Sequence, residues 1–267
     1  LTAISDEPAA IAGRFLAARR STRGLDGYPG TLPTQLSEAY AVQSEAIAAW
    51  RKPVVGWKVG RITGAFADQY QASRLAGPIF ESLEAAAGEV PSMPVFAEGF
   101  AAAEAEFVLR IGKTPAPRQT QFSRDEAAEM IEAVHIGIEI ASSPLGLINA
   151  LGPAAVISDF GNNNGLLVGS AIPDWHHSGF EHWQVTTLID GVEVGSGTAA
   201  TFPDGAIGSA RFLFELLAGR GIPLRRGDWI SSGAVTGVHD ARPGQRIEAR
   251  FGQHGVVKCA LIAAQAD

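Results

Sequence analysis

Three glutamates set in strand-like sequence constrain this chain more than any other feature. Glu104 and Glu106 lie in AEAEFVL, and Glu139 lies in IGIEIAS. Ile136, Ile138 and Ile140 alternate with His135, Gly137 and Glu139, the period of a strand, and Phe107 and Leu109 keep the same spacing. Side chains two apart on a strand share a face, so Glu104 and Glu106 present two carboxylates together. Glu139 follows at 139 − 106 = 33 positions. Like charges brought close repel unless a cation or protons neutralise them. Carboxylates with no cysteine nearby suit a hard, oxygen-seeking ion such as Mg²⁺ or Mn²⁺. Two solvated strand edges that never meet are the alternative, because exposure is the usual state of glutamate.

Around these segments the chain divides by pattern. The first fifty residues read as helical, with Ser5 as a cap and Ile11, Phe15 and Leu16 as an apolar stripe. Thr34 opens a second helix carrying Leu36, Tyr40, Ile47 and Trp50, with Pro53 just beyond its end. From residue 54 short strands and glycine turns take over. In VVGWKVG, Lys58 projects from a glycine-flanked face that a ligand can approach closely. Ser123 and Glu126 form a capping box before a helix expected to run to about Val134. GNNNG at 161–165 reads as a turn, LLVGS as a buried strand, and Asp190-Gly191 as a hairpin turn. A helix spans 206–218, and GDWISSG, RIEARF and VVKCALI are β again. The expectation is an α+β fold, with a small helical N-terminal portion at 1–53 and a larger β-rich domain at 54–267.

Composition narrows the function classes. With 46% hydrophobic and 18% charged residues the chain buries an ordinary globular core. Net charge −7 argues against nucleic acid or an anionic membrane as partner. No apolar run approaches the roughly 18–20 residues of a membrane span, and the N-terminus lacks a signal-peptide layout. The single cysteine, Cys259, sits in an apolar stretch and reads as a buried inert thiol in a reducing compartment. A cytoplasmic location is therefore expected. Six histidines are scattered: His135 reads as a hydrogen-bonded core or supporting residue, His176, His177 and His182 lack the partners of a zinc site, and His239 and His254 read as turn residues. Ser232-Gly233 lacks the G-x-S-x-G elbow, and no dinucleotide or nucleoside-triphosphate motif is present.

Several segments together resemble the 2-keto-4-pentenoate hydratase / 4-oxalocrotonate decarboxylase family, within the fumarylacetoacetate hydrolase superfamily. They are AYAVQ at 39–43, GWKVG at 56–60, GPIF at 77–80, AEAEFVL at 103–109 and GIEI at 137–140, then ISDFGNNNGLLVG at 157–169, GDWISSGAVTG at 227–237 and PGQRIEARF at 243–251. They run in family order and cover most of the chain. The resemblance implies a mixed β-sheet/β-roll domain of the fumarylacetoacetate hydrolase type. It implies that Glu104, Glu106 and Glu139 hold Mg²⁺ or Mn²⁺, that Lys58 acts catalytically beside it, and that Asp159 and Asn162 line the substrate site. It further implies a homo-oligomeric hydratase of a 2-hydroxy-2,4-dienoate or 2-oxo-enoate in aromatic catabolism. A decarboxylase of a 2-oxo-enedioate, or a C–C hydrolase of an acylpyruvate-like acid, is the alternative; hydrolysis needs a general base for water, and no histidine precedes His135.

Three departures bear on substrate. Ala141, Ser142 and Ser143 stand where the family often has Asp and Arg, Phe160 takes the family's Asn position, and Arg61 replaces a commonly apolar residue. A second carboxylate on the substrate would need a cationic partner, for which Arg61 and Arg74 are the candidates.

Overall fold

The computed structural model describes residues 7–116 and 118–266. The helical start is as expected. α1 (Pro8–Ser21) buries Ile11, Phe15 and Leu16, with proline in its first turn. Ser5 lies outside the described residues. α2 (Leu36–Trp50) begins two residues after the expected Thr34, because Glu38 draws the N–H groups of both Thr34 and Gln35 onto its carboxylate and sets the cap at Gln35.

Next come β1 (Gly56–Arg61), α3 (Ala65–Tyr70), β2 (Arg74–Ile79), β3 (Ser82–Glu84), β4 (Ser92–Val95) and β5 (Phe100–Ile111). α4 (Arg124–Glu129) has the expected capping box, Ser123 with Glu126. It stops well short of Val134, which corrects the sequence expectation. Ile131–Ser143 is β6 instead, paired along its length with β5, so Val134 lies opposite Leu109. The short β-rich run gains more from that ladder than from one further helical turn.

α5 (Ile148–Leu151) and α6 (Pro153–Ser158) lead into β7 (Asn163–Ala171). β8 (Val185–Ile189) and β9 (Val192–Gly197) form the hairpin expected at Asp190-Gly191, whose φ values of 52° and 82° suit that turn. α7 (Gly205–Gly219), β10 (Trp229–Ser231), β11 (Arg246–Phe251) and β12 (Val256–Ala263) complete the chain.

Two mixed sheets result, ordered β2-β1-β10-β5-β6-β7-β3 and β4-β12-β11-β8-β9. Odd-numbered residues of β5 (Ala103, Ala105, Phe107, Leu109) and even-numbered residues of β6 (Ile136, Ile138, Ile140) face the second sheet and α7 in one core. A second core joins α1, α2, α5 and α6 over Ala102 and Ala141, on the sheet's opposite face. By strand alternation that opposite face is also the one to which Glu104, Glu106, Glu139 and Lys58 belong. Among the described residues no helix is long and apolar enough to cross a membrane.

Candidate metal centre and active site

Antiparallel pairing of β5 with β6 puts Glu104 directly opposite Glu139, and Glu106 opposite Gly137. One carboxylate oxygen from each of Glu104, Glu106 and Glu139 lies within 4.8 Å of the others, and all three residues are buried. A gap of 33 positions in sequence thus becomes direct juxtaposition. Lys58 arrives from β1, two strands away across β10, where it sits in register with Ser231. Its ammonium lies 3.0 Å from Glu139 Oε2 and donates to Asn162 Oδ1 at 3.1 Å.

Each carboxylate is held by its own surroundings. Glu106 Oε2 accepts from Ser231 Oγ at 2.5 Å and from the Gly233 N–H at 2.7 Å. Asn163 Nδ2 donates to Glu139 Oε1 at 2.9 Å. Among the described residues Glu106 Oε1 is buried without a hydrogen-bond partner, and Glu139 Oε2 has only its ion contact with Lys58. A buried orphaned carboxylate oxygen is costly in an apolar setting. Three carboxylates against one ammonium leave two negative charges, which a divalent cation balances. All-oxygen donors suit Mg²⁺ or Mn²⁺. The residues present therefore fit such an ion.

The electrostatics agree. Burial raises the Glu104 pKa from near 4.5 to about 7; Lys58 opposes the rise and Glu139 adds to it. Burial, then the charges of Glu139 and Glu104, hold Glu106 well above the ordinary range against Lys58 and the Ser231 hydrogen bond. Burial alone would lower the Lys58 pKa, but the three carboxylates, Glu139 foremost, outweigh it and raise it. With no ion bound, the carboxylates thus favour the ammonium form of Lys58.

A cleft of about 390 Å³ opens over this floor, lined by Lys58, Arg61, Glu104, Asn149 and Asn162 among others. That volume suits a small organic acid. Asn162 is positioned by an unusual turn, in which Phe160, Gly161 and Asn162 have φ of 57°, 68° and 57°. A β-carbon on Gly161 would lie 3.0 Å from Lys58 Cδ, so the turn is pressed against the lysine. Asp159 has a different place. Its carboxylate takes a buried pair of bonds from Arg19, at 2.6 and 3.0 Å, and a 2.6 Å bond from Ser143 Oγ, and it does not line the cleft.

Among the described residues no histidine joins the carboxylate group or lines the cleft. His135 bonds the Gly169 carbonyl at 2.9 Å and packs edge-on to Trp229, as a core histidine should. His177 pairs with Asp174, His176 stacks on Trp175, and His254 stacks on Trp183. His239 bonds Thr236. Cys259 is buried, and burial pushes its thiol up to about 12, the mark of an inert group. Ser231, Gly233, Asn163 and Arg19 carry roles that sequence reasoning did not assign. The only available signal for the first three was that they lie in GDWISSG and GNNNG, two of the segments carrying the resemblance.

No family model matches this sequence, and no curated protein matches it. Solved structures do. 4-Oxalocrotonate decarboxylase from Pseudomonas putida G7, complexed with magnesium and adipate, is similar over 96% of this chain and 97% of its own, with TM-score 0.79 at 20% identity. Fumarylpyruvate hydrolase from Pseudomonas aeruginosa, in complex with Mn²⁺ and pyruvate, gives TM-score 0.58 at 17% identity over 78% of this chain and 89% of its own. 2-Hydroxyhepta-2,4-diene-1,7-dioate isomerase from Mycobacterium marinum gives 0.54 at 15% identity, over 79% and 77%. At these identities the likeness establishes the fold: α+β, of the fumarylacetoacetate hydrolase type.

Proposed function

We propose that this chain is a divalent-metal-dependent lyase of the hydratase/decarboxylase branch of the fumarylacetoacetate hydrolase superfamily, acting on a small 2-oxo or 2-hydroxy-dienoic acid. The observation that carries the reading is the convergence of three buried carboxylates and one buried ammonium beneath a cleft of about 390 Å³. Glu104, Glu106 and Glu139 would hold Mg²⁺ or Mn²⁺. Bound there, the ion supplies Lewis-acid stabilisation of negative charge developing on a 2-oxo acid's carbonyl oxygen.

The chain's own residues supply the rest. Lys58 Nζ, held between Glu139 and Asn162, keeps a positive charge and a proton beside the reacting group. Ser231 and the Gly233 N–H fix Glu106 with Oε1 left free for a ligand. Asn162, itself bonded to Asn149 at 3.3 Å, orients both Lys58 and the substrate. Asp159, which the resemblance placed against the substrate, acts in this reading by anchoring the 160–162 turn to Arg19 and Ser143.

Two lyase outcomes share this site. In hydration the dienol takes a proton at its far carbon, and water adds across the resulting unsaturated ketone. In decarboxylation a carboxylate leaves as CO₂, its electron pair enters the conjugated system, and a proton replaces it. Hydration is the sequence expectation; the whole-length likeness to a decarboxylase favours the second. C–C hydrolysis is disfavoured, because among the described residues no histidine lines the cleft to activate water. The buried lone cysteine supports a cytoplasmic setting, and the family resemblance supports a homo-oligomer working in aromatic catabolism.

The test is Mg²⁺-dependent turnover of 2-hydroxypenta-2,4-dienoate and 2-oxohex-3-enedioate, with CO₂ followed in parallel. Loss of dienoate absorbance without CO₂ establishes the hydratase, and CO₂ from the diacid establishes the decarboxylase. Metal binding without turnover of either would overturn the proposal.

A further inference from the structure

A second cavity, of about 220 Å³, adjoins the turn that carries Asn162. Asn162 lines the cleft over the carboxylates, whereas its neighbours Phe160 and Asn163 line this other space, together with Arg19, Trp50, Phe80 and Phe96. Four of those six side chains are aromatic. Phe160 meets Phe80 edge-on at 4.8 Å and Trp50 at 6.0 Å. The Arg19 guanidinium lies over two of the rings, 5.1 Å from the Phe160 centroid and 5.4 Å from that of Phe96.

The charges lining this cavity are already balanced. Arg19 pairs with Asp159, and exposed Lys52 pairs with Glu81 at 2.8 Å. A ligand with a full charge would find no uncommitted counter-ion among them. Hydrogen-bonding capacity is not exhausted, however. A guanidinium has five N–H donors, and Arg19 is only 6% exposed. Its Nε bonds Asp159, and its Nη2 serves Asp159 and the Ser142 carbonyl. Among the described residues Nη1 has a single partner, Asn164 Oδ1 at 3.2 Å, so one N–H is left for an acceptor. Two walls of the cavity also reach the carboxylate floor. Phe160 opens the positive-φ turn whose Asn162 accepts from Lys58, and Asn163 Nδ2 donates to Glu139 Oε1.

We infer that this cavity is a second small-molecule site, separate from the substrate cleft, for a neutral, planar, monocyclic aromatic ligand bearing one hydrogen-bond acceptor such as a carbonyl. The ring packs against Trp50, Phe80, Phe96 and Phe160, and the acceptor takes the spare Arg19 N–H. An occupant resting on Phe160 holds the strained 160–162 turn in the form that sets Asn162 and Asn163, and so favours metal at the carboxylate floor. That coupling rests on the metal site proposed above; the ligand site itself does not.

The test is calorimetric binding of benzamide to the full chain, with and without Mn²⁺, beside benzoate and cyclohexanecarboxamide. Benzoate replaces the neutral amide with a charge, and cyclohexanecarboxamide puts the amide on a puckered ring. Benzamide is expected to bind with a Kd of about 1 mM or tighter, the scale for so small a ligand. Each analogue should bind at least about fivefold more weakly, the order of one aromatic contact or one uncompensated charge. Saturating benzamide is expected to tighten Mn²⁺ binding by about fivefold, and Mn²⁺ to tighten benzamide equally, because coupling is reciprocal. Trp50→Leu removes one ring and should weaken benzamide by about fivefold or more. Ala264→Phe fills the cavity without deleting any of its rings, and keeps the Ala264 N–H bond to the Val95 carbonyl. It should abolish benzamide binding and leave Mn²⁺ binding intact, and it decides the matter if Trp50→Leu fails to fold. No saturable benzamide binding, binding that survives Ala264→Phe, benzoate bound as tightly as benzamide, or a Mn²⁺ affinity that benzamide leaves unchanged would overturn the inference. Benzamide binding lost in Ala264→Phe, in a protein that takes up no Mn²⁺, would keep the ligand site and remove the metal reading.

Discussion

Glu106 has one oxygen committed and one left over. Oε2 takes two donors, from Ser231 and Gly233, while Oε1 has none. That asymmetry suits a ligand atom and is wasteful in a surface carboxylate. Glu106→Gln conserves volume and puts a neutral amide there, so metal affinity is expected to fall by at least about a hundredfold, the order of a lost charged ligand contact, read by Mn²⁺ titration. Lys58→Met should behave differently. Removing the ammonium leaves the three carboxylates for the metal, so metal binding persists while kcat falls by about a hundredfold or more, the range for loss of a proton donor. Metal-loaded turnover of Lys58→Met at the wild-type rate would contradict that role. Strand alternation made Glu104 and Glu106 legible as one face, while the joining of Glu139 and Lys58 to them was implied by the family resemblance. Ser231 was not: its bond to Glu106 spans 125 positions, and no local pattern reports so distant a partner.

Elements placed those residues, and they were read unevenly. β5 and β6 were visible as alternation, and the capping box of α4 was visible as Ser123 with Glu126. The length of α4 was not, because the residues after Met130 join a twelve-residue partner strand only once the fold exists. The turn at 160–162 was readable as glycine- and asparagine-rich, but not as three successive positive-φ residues. A bulky Phe160 at φ 57° stores strain of order 1–3 kcal/mol, and it persists because Trp50 and Phe80 pack on its ring. Gly161→Ala would add both a strained φ and a contact with Lys58 Cδ. Its expected effect is a marked fall in kcat with the metal still bound, read by turnover and Mn²⁺ titration. Ser123→Ala is the contrast: it should cost about 1 kcal/mol of stability through the lost cap, measured by denaturant unfolding, and leave kcat unchanged.

At the scale of the whole molecule, the α+β class and the order of the segments were legible, while the two-sheet arrangement came from long-range pairing such as β1 with β10. The buried site also ties overall stability to pH. The Glu104 pKa is raised from near 4.5 to about 7, so the folded metal-free protein binds its proton more tightly than the unfolded chain does. Its stabilising contribution is full below pH 4.5 and is lost as pH rises through 7, a change of roughly 3 kcal/mol for that shift. Glu106, also raised, works in the same direction. Metal-free protein is therefore expected to lose stability between pH 5 and 8 at this site, and Mg²⁺ should raise the melting temperature more at pH 8 than at pH 6. Equal Mg²⁺ shifts at both values would contradict the linkage. The most direct test of the central claim is calorimetric Mn²⁺ titration of the wild type and Glu139→Gln at pH 7.5. One ion per chain is expected in the wild type and no saturable binding in the variant; no binding in the wild type, or identical binding in both, would mean that the three glutamates are not a metal site.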